Sequence, residues 1–377
     1  MVANKVTPFG GIRKKLYICS ENHSPLTSQL STLNSNDMKT VIARTLVAFF
    51  TFSFSLLTSY AQWTTITNGP KWMDTDGRPV LANGGNFLRK DGVWYLVGED
   101  RTNTWTPDVN LYSSTDFQHW KFEHKIIKNR VTHPDLGRRR MIERPKLLFC
   151  EETQKYVVWC HWESRDYSAS EAAVFECDSV NGDYEYVWSG RPMETKSRDC
   201  NVFVDNDGTT YFISTTDENQ NLGLFMMMTD YRRVFTKTVL CEGQRREAPA
   251  IVHIDDMYYM ISSACTGWDP NQAKLTVSKN LHYGWSPLFN IGDRIAYDTQ
   301  ASSILTIAGT EGTTYLYVGD RWMDPTLPES KIIILPIEWR DPQTGDVAHQ
   351  KDENHRHMVL NYRDSFDIDF ERGVWRE

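Results

Sequence analysis

One short phrase occurs twice in the sequence: IERPKLLF at residues 142–149 and REAPAIVH at residues 246–253. Each reads glutamate, any residue, proline, any residue, then an apolar pair. Three other segments also place a polar residue just before a short apolar run: ANGGNFL at 82–88, RDCNVFV at 198–204 and TQASSIL at 299–305. All five segments read as short β-strands that open with a polar side chain.

A second strand follows each of these five segments after a turn. The turns read RKDG, EETQK, DNDG, IDDM and GTEG, and the strands after them are rich in aromatic residues, which favour strands. These second strands are WYLVGED at 94–100, YVVWCHWE at 156–163, TYFISTTD at 210–217, YYMISSAC at 258–265 and TYLYVGDRW at 314–322. Few segments show helical periodicity, so the sequence predicts an all-β fold.

The length of the repeat indicates which all-β architecture the chain adopts. The polar residues that open the five first strands are Asn83, Glu143, Asp199, Glu247 and Gln300, separated by 60, 56, 48 and 53 positions. Five units of about fifty residues predict a five-bladed β-propeller. In a propeller the first strand of each blade lines the central channel, so these five side chains are expected to meet at one mouth of it. The alternative is that they only cap strand ends and face water.

Converging carboxylates next to an aromatic-rich surface suit glycoside hydrolysis, which needs a protonated acid and a second group that activates water or attacks the sugar. Glu247 is the candidate acid because the apolar Ala-Pro-Ala that follows it would raise its pKa. Asp199 would keep Glu247 protonated by like-charge repulsion. Alternatively, Asp199 forms an ion pair with Arg198 or another arginine.

The composition is that of an ordinary globular protein, with 40% hydrophobic and 24% charged residues. Aromatic residues make up 12% of the chain, a content that fits sugar binding or simply a β-rich core. The formal net charge is -8 and no tract rich in lysine and arginine stands out, so nucleic acid is not an expected partner. The expected partner is a polysaccharide or oligosaccharide.

The N-terminal region reads as an export signal. Residues 38–61 have a basic start, an apolar run too short for a stable membrane span, and a small-residue end at Ala61. We therefore predict an upstream extension at 1–37, a signal peptide at 38–61 and a mature propeller domain at 62–377, with a periplasmic or extracellular location. No cysteine lies near the predicted cleavage site, so a lipid anchor is not expected.

Six of the seven cysteines lie in the predicted mature chain, and their pairing cannot be read from the sequence. Cys150 and Cys160 are not equidistant from the turn between them, and their spacing matches no zinc motif. We interpret both as small buried hydrophobic residues. No metal cluster and no phosphate-binding glycine loop is visible, so no metal and no cofactor is predicted.

The combined motifs resemble glycoside hydrolase family 43, and within it the exo-β-1,3-galactanase branch. The resemblance spans about residues 85–322 and rests on several segments together: GGNFLRKDGVWYLVGED, ERPKLLF, YVVWCHW, SRDCNVFVDNDGTTYFI, REAPAIV, SSACTGWDPNQA, DTQASSI and GDRW. It implies an inverting enzyme that releases galactose, or galactose bearing a side chain, from the non-reducing end of β-1,3-galactan. Arabinogalactan is the implied natural substrate.

The resemblance also bears on the residue that activates water. The ordinary family pattern has an aspartate base on the first blade, where this sequence has Asn83. The galactanase branch lacks this base too, and is thought to use a glutamine and a glutamate that match Gln300 and Glu143. Gln300 would either position a water whose proton passes to Glu143, or act as an imidic tautomer stabilised by Glu143. Without any base, the protein would only bind sugar.

Further residues match positions that line the galactose subsite of the branch. They are Glu99, Trp162, Glu218, Asn219 and Thr266. Trp162 could instead serve packing within a blade. Asp320 and Arg321 either sit near the channel or form a structural ion pair between the closing strands, and we favour the structural ion pair. The segment ESKIIILPIEW at 329–339 is interpreted as the strand that seals the ring.

Two other functions compete with galactan hydrolysis. One is another family 43 activity, on α-L-arabinofuranosides or β-xylosides, which the asparagine at position 83 disfavours. The other is a non-catalytic carbohydrate-binding propeller. Substitution of Glu247 distinguishes an enzyme from a sugar-binding protein. An enzyme would lose turnover and keep sugar binding, whereas a sugar-binding protein has no turnover to lose.

Overall fold

The computed structural model describes residues 62–377, and all structural statements below concern this range. The predicted upstream extension and signal peptide lie outside the described residues, so they remain predictions. Within 62–377 the regular structure consists of 24 β-strands and two short 3₁₀ turns, Pro192–Glu194 and Leu327–Glu329. No helix in this range has the length and apolarity to span a bilayer.

Five antiparallel sheets follow the repeat seen in the sequence. The first sheet contains β2 (Asn83–Lys90), β3 (Val93–Asp100), β4 (Asp108–Ser114) and β5 (Lys121–Ile127). The second contains β6 (Met141–Cys150), β7 (Lys155–Glu163), β8 (Glu171–Cys177) and β9 (Glu185–Gly190). The third contains β10 (Ser197–Val204), β11 (Thr210–Thr216), β12 (Asn221–Met227) and β13 (Val234–Leu240).

The fourth and fifth sheets complete this series. The fourth contains β14 (Arg246–Ile254), β15 (Met257–Ala264), β16 (Lys274–Ser278) and β17 (Phe289–Asn290). The fifth contains β18 (Gln300–Ala308), β19 (Thr313–Arg321), β20 (Lys331–Arg340), β21 (Val347–Ala348) and β22 (His357–Leu360). Successive strands pair with one another within each sheet, except that β22 pairs with β20. The ten strands predicted from the sequence are all present.

The predicted number of blades is wrong. The described chain forms an all-β propeller with six sheets, and the sixth, here called the terminal sheet, joins the two ends of the described range. It contains β1 (Trp63–Thr67), β23 (Ser365–Asp369) and β24 (Val374–Arg376). Its strands are short and come from opposite ends of the chain, so they fall outside the fifty-residue period from which the blades were counted.

The role predicted for residues 329–339 is also corrected. These residues form most of β20, which pairs with β19, β21 and β22 inside the fifth sheet. The end of the described chain meets its beginning instead through β1 and β23, which pair from Trp63 opposite Asp369 to Thr67 opposite Ser365.

Aromatic and aliphatic side chains fill the spaces between neighbouring sheets. The terminal sheet packs with the first and fifth sheets in one such core, where Phe370 lies 5.2 Å from Trp94 and 5.0 Å from Phe117 between ring centroids. Cys150 and Cys160 are buried and unpaired, as predicted. Much of the aromatic content therefore serves packing, which stabilises the fold by removing apolar surface from water.

Polar side chains plug the centre of the ring of first strands. The ammonium group of Lys146 is completely buried and donates hydrogen bonds of 2.7 Å to the carbonyls of Gly84 and Gly85, and of 3.0 Å to that of Ser302. Asn201 donates to the carbonyls of Pro249 and Ser302, each at 2.9 Å. These bonds tie the first strands of the five larger sheets together across the channel.

Candidate active site

The first strand of each larger sheet is interrupted beside its polar residue. The pairing register shifts between Asn83 and Asn86, Glu143 and Lys146, Ser197 and Cys200, Glu247 and Ala250, and Ala301 and Ser303. Such β-bulges bend a strand and re-aim its side chains, and they are common next to active sites. Each strand-opening residue therefore lies beside a bulge that can re-aim its side chain.

Three of these bulges use the left-handed backbone region. Arg144 has φ 48° and Ala248 has φ 49°, a conformation that costs a residue with a side chain about 1–3 kcal/mol. Gly84 has φ 71°, and a Cβ atom there would lie 2.3 Å from Oε1 of Glu99. Gly84, the first glycine in ANGGN, is therefore required for two reasons: its φ is positive, and a side chain there would collide with the carboxylate of Glu99.

A cavity of about 490 Å³ opens at this mouth. It takes residues from all five larger sheets and none from the terminal sheet. Its lining comprises Glu99, Arg101, Thr104, Trp105, Met141, Glu143, Arg144, His161, Tyr167, Arg198, Asp199, Asn219, Glu247, Cys265, Gly267, Trp268, Gln300, Trp322 and Asp324. All four predicted catalytic residues lie in this cavity.

Arg144 bonds directly to two of the predicted catalytic residues, and Gln300 connects a third to them. Nε of Arg144 lies 2.9 Å from a carboxylate oxygen of Asp199, and the same guanidinium donates to Oε1 of Gln300 and, at 3.1 Å, to the carbonyl of Ala301. The alternative proposed for Asp199, an ion pair with an arginine, is thus observed, with Arg144 rather than Arg198. Gln300 in turn donates from Nε2 to Oε1 of Glu247 at 3.0 Å.

Glu247 has the electrostatic setting of a general acid. Its side chain is buried, and burial together with the nearby negative charge of Asp199 raises the pKa of Glu247 to about 8. The positive charge of Arg144 and the hydrogen bond from Gln300 offset part of this rise. A carboxyl group with such a pKa keeps its proton at neutral pH, as general acids of glycosidases do.

The side-chain amide of Gln300 has all four of its hydrogen-bonding positions occupied. Oε1 accepts from Arg144 and, at 3.0 Å, from Nε1 of Trp322, and Nε2 donates at 3.0 Å to both Glu247 and Ser263. Both groups facing Oε1 are obligate donors, which fixes the amide orientation. An imidic hydroxyl at this oxygen would point its proton at two donors, so the surroundings favour the ordinary amide form.

Glu143 lies among donors. Its Oε1 accepts hydrogen bonds of 2.9 Å from both Arg101 and the hydroxyl of Tyr167, and its Oε2 lies 3.0 Å from Nδ1 of His161. Burial opposes ionisation, but the contact with His161 and the charge of Arg101 lower the pKa of Glu143 well below its ordinary value. Glu143 is therefore a fixed negative charge and a weak proton acceptor.

His161 connects Glu143 to a second buried carboxylate. Its Nε2 lies 3.0 Å from Oε2 of Glu163, which is fully buried and also accepts from the backbone amides of Ala169 and Ser170. Burial opposes protonation of the imidazole, but these two carboxylates raise the pKa of His161 to about 9. A protonated His161 between two carboxylates holds Glu143 in place at the cavity.

Two of the five predicted substrate-binding residues lie in the cavity. Glu99 is buried, pairs with Arg101 and accepts a 2.7 Å hydrogen bond from the backbone amide of Arg144. Burial raises its pKa, against the charge of Arg101. Asn219 accepts a 3.1 Å hydrogen bond from Arg198 at the cavity edge.

The other three lie outside the cavity lining. Trp162 is 1% exposed and packs against Phe175 in the core of the second sheet, which is the packing role considered from the sequence. Glu218 lies on the surface, where it pairs with Lys196 and Arg198. Thr266 donates at 2.7 Å to the carbonyl of Asp269 in the loop after β15, next to cavity residues but not among them.

Asn83 and Asp320 form a buried contact behind the cavity. Nδ2 of Asn83 donates to Oδ1 of Asp320 at 3.1 Å, and the same oxygen accepts from the backbone amide of Gly84 at 2.9 Å. The expected pairing of Asp320 with Arg321 is not formed, because Arg321 points to Asp298, 3.6 Å away, and to the carbonyl of Tyr297. Asn83 is thus the one strand-opening residue absent from the cavity lining.

Comparison with known proteins identifies the family. The model of glycosyl hydrolases family 43 matches residues 79–341, more than half of the chain. The chain belongs to glycosyl hydrolase family 43. A search of curated proteins finds no match to it.

Solved structures of family 43 enzymes are similar to this family 43 chain. An exo-β-1,3-galactanase from Clostridium thermocellum is 35% identical with a TM-score of 0.76, over 83% of this chain and 68% of its own. A β-1,3-galactosidase is 32% identical with a TM-score of 0.71. The match covers 81% of this chain and 64% of the galactosidase chain, which is less than two thirds of the galactosidase. A glutamate variant of an exo-β-1,3-galactanase from Phanerochaete chrysosporium, with β-1,3-galactotriose, is 26% identical with a TM-score of 0.73, over 82% and 70%.

The sequence pattern did not single out several residues that line the cavity of this glycoside hydrolase. They are Arg101, Arg144, His161, Tyr167, Trp268 and Trp322. Arg144 stands directly after Glu143 in the repeated phrase, His161 lies in the second strand β7, and Trp322 directly follows the second strand β19. The repeat therefore contained these three positions. Arg101, Tyr167 and Trp268 lie in loops, whose course the strand pattern does not predict.

Within residues 62–377 no group of three histidine, cysteine or acidic side chains is arranged to hold a metal ion.

Proposed function

We propose that this glycoside hydrolase removes galactose, or galactose bearing a side chain, from the non-reducing end of β-1,3-galactan, with inversion at the anomeric carbon. The observation that supports this proposal is the setting of the carboxyl group of Glu247. Gln300 occupies Oε1 of Glu247, so the proton that the raised pKa retains belongs on Oε2, available to a glycosidic oxygen. Protonation of the leaving oxygen is the acid step of glycoside hydrolysis.

The shape of the cavity supports action at a chain end. Its floor is closed by Lys146, Asn201 and Ser302, whose polar groups are bonded to the backbone of neighbouring first strands. A polysaccharide cannot thread through a closed floor, so a terminal sugar has to enter from the mouth. This favours removal of single sugars over cleavage in the middle of a chain.

The choice of galactan is supported by the relatives. Two exo-β-1,3-galactanases and a β-1,3-galactosidase align over four fifths of this chain, and one of them was crystallised with β-1,3-galactotriose. Arabinogalactan is the proposed natural substrate, met outside the cytoplasm if the segment at 38–61 directs export.

Roles for the other residues follow from their contacts. Asp199 maintains the proton on Glu247 through its charge, and Gln300 orients Glu247 through its amide nitrogen. Both hydrogen bonds that Glu143 accepts fall on Oε1, so Oε2, which lies 3.0 Å from Nδ1 of His161, retains a lone pair for a hydrogen bond from a sugar hydroxyl or from water. Glu99 and Asn219 are placed to bind further hydroxyls.

The test uses β-1,3-galactotetraose labelled at its reducing end, with products followed by chromatography. Exo action predicts early galactose and a labelled trisaccharide, with the label reaching smaller products only later. Labelled disaccharide as the first product would contradict exo action. Cleavage of arabinofuranosides or xylosides alone would refute the galactan substrate, and sugar binding without cleavage would make the protein a carbohydrate-binding propeller.

A further inference from the structure

Trp105 is the most exposed large apolar side chain that lines the cavity. Its exposed fraction is 46%, whereas the other two tryptophans of the lining, Trp268 and Trp322, are half-buried and pack edge to face with centroids 4.8 Å apart. An aromatic ring left open to water at the rim of a sugar site can gain contact with the apolar face of a sugar. Because Trp105 lies at the rim, that sugar is one beyond the galactose that is released.

The guanidinium group of Arg165 lies over the ring of Trp105, 5.8 Å from the ring centroid. Such a cation–π contact holds the arginine beside the rim. Arg165 is exposed and forms no ion pair with another residue of the range 62–377. The adjacent carboxylate, Asp166, accepts hydrogen bonds from the hydroxyls of Ser164 and Ser168 at 2.7 and 2.8 Å. The guanidinium is therefore available for a carboxylate of a ligand, which it can bind through two parallel hydrogen bonds.

Two loops that meet at Glu143 carry Trp105 and Arg165. Arg101 donates to Oε1 of Glu143 at 2.9 Å and, at 3.0 Å, to the backbone carbonyl just before Trp105. Tyr167, two residues after Arg165, donates to the same oxygen of Glu143 at 2.9 Å. The two loops are thereby held side by side, each anchored to a group inside the cavity.

The backbone that carries Arg165 is also fixed from the interior. The buried carboxylate of Glu163 accepts hydrogen bonds from the backbone amides of Ser164 at 2.7 Å, Ala169 at 3.0 Å and Ser170 at 3.1 Å. The loop is therefore closed around Glu163 before any ligand arrives. Only the side chain of Arg165 has to be ordered on binding, which keeps the entropic cost small.

We propose that Trp105 and Arg165 form an outer subsite for a branch sugar that carries a carboxylate. This inference rests on the proposed function and adds a class of substrate to it. The galactan chain enters the cavity by its terminal galactose, so a branch on the next galactose lies at the rim. There the ring of Trp105 contacts the sugar, and the guanidinium of Arg165 pairs with its carboxylate. A 6-linked uronic acid has both features.

The test uses two matched substrates. Both are β-1,3-galactotriose with one branch on the galactose next to the non-reducing end, either 6-linked β-glucuronic acid or 6-linked β-glucose. The two branches differ only in a carboxylate against a hydroxymethyl group, and the galactose released is the same. Release of galactose gives kcat and KM for each substrate at low and at high salt.

The variants are Arg165→Gln, which removes the charge, and Trp105→Ala, which removes the ring. Arg233→Gln is the matched control, because Arg233 also lies over a tryptophan, Trp188, at 4.6 Å, and neither residue belongs to the cavity lining. All three arginine and tryptophan positions that are changed are exposed, so the fold should be retained.

We expect the unsubstituted protein to favour the glucuronic acid branch by about 2- to 5-fold in kcat/KM, through a lower KM, and to lose part of this preference at high salt. Arg165→Gln should abolish the preference and leave the glucose-branched substrate unaffected. Trp105→Ala should raise KM for both substrates by about 2- to 10-fold. Arg233→Gln should keep the preference.

The inference would be overturned by the absence of a preference, by a preference that Arg165→Gln retains, or by failure to cleave either branched substrate. An unchanged KM in Trp105→Ala would overturn it as well. If galactose is still released from unbranched β-1,3-galactotriose in these cases, the proposed function stands and only the outer subsite is refuted. If no β-1,3-galactoside is cleaved, both fail.

Discussion

The side-chain nitrogen of Gln300 donates a 3.0 Å hydrogen bond to Oε1 of Glu247, which joins the fifth sheet to the fourth at the centre of the cavity. Because one oxygen of Glu247 is occupied by a donor, the acidic proton belongs on the other. A glutamine from the last repeat thereby orients an acid from the repeat before it.

Substitution of Glu247 by glutamine removes the acidic proton and preserves the size of the side chain. We expect kcat on β-1,3-galactobiose to fall by about 10²- to 10⁴-fold, while galactose binding, measured by calorimetry, persists. Glu242→Gln, on the exposed turn before β14, is the matched control and should retain full activity. Undiminished turnover by Glu247→Gln would remove Glu247 from the acid role.

The pH dependence of kcat/KM should report the proton on Glu247. The pKa of Glu247 is raised to about 8, and the active form is the protonated one, so activity should be lost as pH rises through about 8. Asp199→Asn removes the negative charge that helps to raise this pKa and frees the positive charge of Arg144. The basic limb of the profile should therefore move to lower pH.

The control for that shift is Asp346→Asn, an exposed carboxylate between β20 and β21. Its profile should match that of the unsubstituted protein. A basic limb that stays in place, or moves to higher pH, in Asp199→Asn would show that the charge of Asp199 does not maintain the proton.

Trp322→Phe tests how Gln300 is held. The substitution keeps an aromatic ring but deletes the Nε1 donor that lies 3.0 Å from Oε1 of Gln300. Loss of one hydrogen bond of this kind costs about 0.5–1.5 kcal/mol, so kcat should fall by about 2- to 10-fold. Trp268→Phe alters the partner ring without deleting a donor to Gln300, and should reduce kcat less. An equal loss in both variants would point to aromatic packing instead.

His161 should make the stability of the fold depend on pH. Its pKa is raised from 6.5 to about 9 in the folded protein, because the contacts with Glu143 and Glu163 outweigh burial. The stabilisation by the protonated ring is fully present below the unfolded pKa and is lost as pH rises through the folded pKa. The free energy of unfolding should thus decrease between about pH 6.5 and pH 9, by an amount on the order of 3 kcal/mol.

Urea denaturation at intervals across this range provides the measurement. His161→Gln should be less stable near neutral pH and should lose most of the decrease toward pH 9. His119→Gln, at an exposed position, should behave like the unsubstituted protein. A parallel pH dependence in His161→Gln and the unsubstituted protein would contradict the proposed charge on His161.

The repeat in the sequence predicted the first two strands of each of five sheets and the convergence of Glu143, Asp199, Glu247 and Gln300, because equal spacing in a propeller implies equal positions around an axis. It missed the terminal sheet, whose strands Trp63–Thr67 and Ser365–Asp369 pair across some three hundred residues. A periodic pattern carries no information on a pairing that occurs once.

The sequence also did not predict toward which face of a strand each side chain points. Trp162 alternates with His161 along β7, so one faces the core and the other the cavity wall, and the pattern of aromatic residues did not tell which. The bulges at Asn83 and Glu247 also change the face that follows them, and the sequence only hints at a bulge through Gly84 and Pro249. The partners of Arg144 come from distant repeats, so its central place required the folded structure.

The measurement that tests the proposed reaction most directly is proton NMR of β-1,3-galactobiose during its hydrolysis by the unsubstituted protein, recorded before mutarotation. An inverting acid mechanism through Glu247 predicts that the galactose released from the non-reducing side appears first as the α-anomer. Initial release of the β-anomer would demonstrate retention, and would require a nucleophilic carboxylate in the cavity instead of an attacking water.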